Sequence, residues 1–156
     1  MWLTLVLTVG AASPARPDAL YTFEWRSFAR IARTEGGETS SEQRGRGTAT
    51  LVSLPFGLLR LEFHGDDGDG SGVIGPGGPQ RLTFPTPLPV DVPPAPPHLI
   101  GGFFEPYGDP LEPDAFRLQY IEGFICHTTP QICSDIATWE REFTASATRI
   151  APPPTR

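Results

Sequence analysis

From Tyr21 to Ile31 the chain alternates with a period of two, and this run constrains the fold more than any other. Tyr21, Phe23, Trp25, Ser27, Ala29 and Ile31 share one parity, while Thr22, Glu24, Arg26, Phe28 and Arg30 share the other. Successive side chains on a strand point to opposite faces, so this pattern specifies a strand with one buried and one solvated side. A helix would set Glu24 and Arg26 among the apolar residues. Further short β-prone runs follow: Thr48–Ser53, Leu58–His64, Gln80–Phe84, Leu99–Phe104, Phe116–Phe124 and Trp139–Ile150.

Turn chemistry separates these runs. The 17 glycines and 19 prolines make up nearly a quarter of the 156 residues. Thr34–Gly47 (TEGGETSSEQRGRG) is polar and glycine-rich and reads as a long mobile hairpin loop. An acidic loop spans 65–72, with Val73-Ile74 after it, and Glu105–Asp114 reads as another turn-rich loop. Asp135-Ile136-Ala137 suits a helical turn. Pro85–Pro97 (PTPLPVDVPPAPP) is an extended connector, because proline removes the donors a central strand needs. Strands at this spacing, without a long 3.6-residue period, specify an all-β fold. The expectation is an antiparallel β-sandwich or barrel-like domain of about seven to nine strands over residues 19–150, with a disordered tail at 151–156.

Residues 1–18 read as a signal peptide. The apolar run Trp2–Ala12 is shorter than the ~20 residues a membrane helix needs, and small residues follow it. No basic side chain precedes the run, and a buried first strand is the alternative. A secreted or cell-envelope location follows from the leader, with no stable membrane span. In that setting Cys126 and Cys133 suit one local disulfide, against free thiols or a zinc site using His127. The net charge is −6, and all twelve basic residues are arginines scattered along the chain, as a GC-rich genome would give. No basic footprint for nucleic acid is present.

One local motif has the spacing of a metal loop. Counted from Asp67, the chain reads D-x-D-x-S-G-x-I, so Asp67, Asp69 and Ser71 occupy the first, third and fifth positions of an EF-hand-like calcium loop. The twelfth position, where a bidentate glutamate belongs, is Gly78, and the preceding segment reads as strand. An acidic turn between strands is the alternative. No nucleophile elbow, H-E-x-x-H or phosphate loop occurs, and His64, His98 and His127 are far apart in sequence.

The segments YTFEW, GTATL, DGDGSGVI and FTASATR before a proline tail together resemble exported bacterial proteins of the PEP-CTERM (exosortase-sorted) type. The resemblance implies an extracellular or envelope component with no assigned activity. Pro152-Pro153-Pro154 stands where that pattern has Pro-Glu-Pro, and no transmembrane helix or basic end follows, so the sorting signal is lacking. The expected role is a non-catalytic structural or binding component whose partner is a ligand or a surface or matrix component. A calcium-assisted binding module and a hydrolase on a β scaffold are the alternatives.

Overall fold

The structure, a computed structural model, describes residues 19–84, 98–125 and 136–151. The expected leader, the connector 85–97, residues 152–156 of the tail, and Cys126, His127 and Cys133 lie outside the described residues. Eight strands are described: β1 (Ala19–Arg33), β2 (Glu38–Leu54), β3 (Leu58–Gly65), β4 (Gly68–Gly75), β5 (Gly78–Thr83), β6 (His98–Gly108), β7 (Pro113–Ile125) and β8 (Ile136–Arg149). They form one sheet in the order β5-β4-β3-β2-β1-β8-β7-β6, and every pairing is antiparallel. The sheet curls into a nearly closed barrel, the second of the two expected architectures. Chain neighbours are sheet neighbours throughout, except that β8 returns to pair with β1 and a seam separates β5 from β6. At the seam a Cβ added to Gly78 would stand 3.4 Å from the carbonyl oxygen of Gly102, so the two edges meet there without a ladder.

The alternation of β1 holds from Ala19 to Ile31, where the odd residues face the core, and a bulge at Ala32–Arg33 ends it. Tyr21, Phe23, Trp25, Phe63, Phe116 and Phe143 fill the barrel, with Leu59, Leu61, Ile74 and Leu118 between them. Phe143 sits at the centre of a ring network: its centroid is 5.7 Å from Trp25, 5.9 Å from Phe63 and 4.8 Å from Phe84. A smaller apolar cluster of Ile31, Ile136 and Trp139 closes one end. At the other, the buried Tyr21 hydroxyl donates to the carbonyl of Pro113 at 2.8 Å, and burial raises its phenol pKa above the usual value.

Three expected loops are strand. Most of Thr34–Gly47 belongs to β2, and only residues 34–37 turn. Thr39, Ser40 and Ser41 pair in register with β1, within a ladder that runs from Ala32↔Glu38 to Phe23↔Gly47. The glycines that read as loop markers provide room instead. A Cβ on Gly45 would lie 2.4 Å from Nε1 of Trp25, and one on Gly70 would lie 2.0 Å from the ring of Phe63. Large inward side chains of one strand thus lie across glycines of its neighbour. The acidic loop 65–72 likewise shrinks to a turn at Asp66-Asp67, followed by β4. Glu105–Gly108 continues β6, where Pro106 is tolerated because the strand lies at the sheet edge, and Pro113 opens β7. Only 109–112 turns, pinned by Leu111 N donating to the Asp109 side chain at 2.9 Å. Ile136 begins β8 rather than a helical turn, because its side chain is buried against Trp139.

Candidate functional site

Two polar arrangements stand out, one inside the barrel and one on its wall. Inside, Glu122 of β7 and Arg141 of β8 are direct cross-strand partners at inward parity, and both are buried. Arg141 Nε donates to Glu122 Oε1 at 2.9 Å, and Nη2 donates to the same oxygen. The guanidinium also lies 3.9 Å from the centroid of Phe84 and 5.5 Å from that of Trp139. Tyr120 joins the cluster: burial first, then the Glu122 carboxylate, raises its phenol pKa. A carboxylate and guanidinium held this way neutralise each other, and the enclosing aromatic rings leave the pair a structural role. Both charges were visible in the sequence, at the apolar parity of neighbouring strands.

The outer wall is organised by register. Arg26 of β1 stands opposite Arg44 of β2 and Thr144 of β8, while Glu24 stands opposite Arg46 and Ser146. Arg117 of β7 stands opposite Ser146 and Glu105. Because Thr144 and Ser146 are short and their flanking neighbours long, a groove of about 460 Å³ opens along β8. Its walls include Glu24, Arg26 and Arg44 on one side and Phe103 and Arg117 on the other. Like charges directly opposite on a sheet repel. Here Glu42 separates them: it accepts from Arg26 Nη2 at 2.8 Å and from Arg44 Nε. These bonds, that from Arg44 foremost, lower the Glu42 pKa. Arg117 forms no ion pair among the described residues. Its cross-strand neighbour Glu105 instead accepts from the Tyr107 hydroxyl at 2.8 Å.

The sequence-derived metal residues lie elsewhere on the wall. Asp67 is in the β3–β4 turn, and Asp69 and Ser71 follow on the outward face of β4. Asp69 Oδ1 meets His64 Nδ1 at 3.0 Å, and the Ser71 hydroxyl meets that of Thr83 at 3.0 Å. Among the described residues, no three of His, Cys, Asp and Glu are grouped to hold a metal ion. With Asp69 and Ser71 engaged by His64 and Thr83 and Asp67 set apart in the turn, the unfolding midpoint is expected to be the same in EDTA and in millimolar calcium. Saturating ligand at ~100 times Kd adds about 2.7 kcal/mol, so a rise that Asp67→Ala/Asp69→Ala abolishes would instead place a calcium site here.

The hydrolase alternative calls for a histidine meeting a carboxylate in a cleft. His64 and Asp69 do meet, but on the open face of the β3–β4 hairpin, with side chains 60% and 71% exposed. Among the described residues, no helix is long and apolar enough to cross a membrane. No protein-family model matches the chain and no curated protein matches it significantly, so the functional reading rests on the geometry of the barrel and its wall.

Proposed function

We propose that the chain is an exported, non-catalytic binding domain that attaches to a component of the cell envelope or extracellular matrix through the groove on its outer wall. One observation carries the reading: the barrel fills its own interior with aromatic side chains, while a groove of about 460 Å³ lies outside, along β8. In barrels of eight strands the lumen is just wide enough either for side chains or for one small ligand. With the lumen filled, contact with a partner falls to the wall. Export rests on the leader-like residues 1–18 and on the resemblance to exosortase-sorted proteins.

The test is retention of the purified chain on a washed, insoluble envelope and matrix fraction from a bacterial culture. Ser146→Trp fills the groove floor at an exposed position and is expected to reduce the retained fraction several-fold at an unchanged unfolding midpoint. Equal retention of wild type and variant, or none of either, would overturn the reading.

A further inference from the structure

We propose that the outer-wall groove takes an acidic saccharide, with uronate carboxylates on Arg117 and on the Arg26–Arg44 pair and a sugar ring against Phe103. The inference deepens the reading of the groove as a binding surface and rests on it. Three guanidiniums, those of Arg26, Arg44 and Arg117, line this groove beside Glu24, while Glu42 bridges Arg26 and Arg44 and Glu105 stands opposite Arg117.

The donors are available. Glu42 engages one nitrogen of Arg26 and one of Arg44, while each guanidinium carries five N–H groups. Arg117, on the opposite wall, forms no ion pair among the described residues. Planar guanidinium forks match carboxylates in paired hydrogen bonds. Arginines on both sides of the groove fit anionic groups spaced along a chain better than one small ion at a single point.

The rest of the lining favours a sugar. Phe103 is 45% exposed and presents a flat apolar ring beside the arginines, a surface on which the C–H face of a pyranose packs. Thr144 and Ser146 provide hydroxyls along the floor, and Glu24 accepts from ligand hydroxyls. The groove is open along its length, which suits an oligomer passing over it.

The experiment titrates the full chain with trigalacturonate, with its neutral methyl ester and with inorganic phosphate. Trigalacturonate is expected to bind, with affinity falling as salt rises from about 50 to about 500 mM, as for solvent-exposed charges. Arg117→Gln and Arg44→Gln are each expected to weaken it by about tenfold or more. Phe103→Ala, also at an exposed position, weakens it similarly without lowering the unfolding midpoint. If the methyl ester binds equally and Ser146→Trp blocks it, the acidic assignment fails and the groove reading stands. Phosphate competing at concentrations equal to trigalacturonate overturns the saccharide assignment in favour of a bare anion site. Trigalacturonate binding that survives Ser146→Trp overturns both readings. No binding of any probe overturns the acidic-saccharide proposal, while the groove itself is then judged by retention on the envelope fraction.

Discussion

Replacing Arg141 with methionine is expected to destabilise the barrel by about 3–5 kcal/mol, because Glu122 is left buried with an uncompensated charge. Adding Glu122→Leu to the same chain is expected to restore wild-type stability or exceed it. The two residues are direct partners across β7 and β8, and hydrophobic replacement of a buried pair removes the desolvation cost together with the attraction. Urea unfolding of the wild type, the single variant and the double variant measures both effects. Equal loss in the single and double variants would mean that the cost lies in lost packing of Arg141 on Phe84 and not in the stranded carboxylate.

Phe143→Ala is expected to cost a similar ~3–5 kcal/mol, the range for truncating a buried aromatic ring. For a domain of this size that lowers the thermal midpoint by about 10 °C or more. Phe143 is fully buried and touches the rings of Trp25, Phe63 and Phe84, which belong to or follow β1, β3 and β5. Its removal leaves a void shared by distant parts of the sheet, so local collapse cannot fill it. Calorimetry provides the check, and a midpoint within 2–3 °C of wild type (about 1 kcal/mol or less) would show that the neighbouring rings close over the gap.

The fold class was legible because period-two alternation is written directly into β1, and its inward residues are those the sequence assigns. The glycine- and serine-rich half of β2 was not legible as strand. Gly45 reads as a breaker until Trp25 is known to lie across it, and that contact exists only once the hairpin has its register. The same holds for Gly70 beneath Phe63. Glu122 and Arg141 could have been found, since each interrupts an otherwise apolar parity, but only the register between β7 and β8 makes them a pair. The groove was the least legible feature. Arg26, Arg44, Arg117, Thr144 and Ser146 come from four strands, and the scattered arginines of the sequence become neighbours only when β8 lies between β1 and β7.

The return of β8 to β1 also sets an order of events for a chain made from its N-terminus. Strands β1 to β5 can pair as they emerge, each with its predecessor. β1, however, keeps one bare edge from Tyr21 to Arg33 until residues 136–149 arrive, on the order of a hundred residues later. At about 5–20 residues per second that is roughly 5–20 s of exposure. Throughout it, Tyr21, Phe23 and Trp25 lie on a strand whose open edge could template pairing with other chains. Only the pairing of β8 removes that edge, so the last strand to be made is the one that completes the protection of the first.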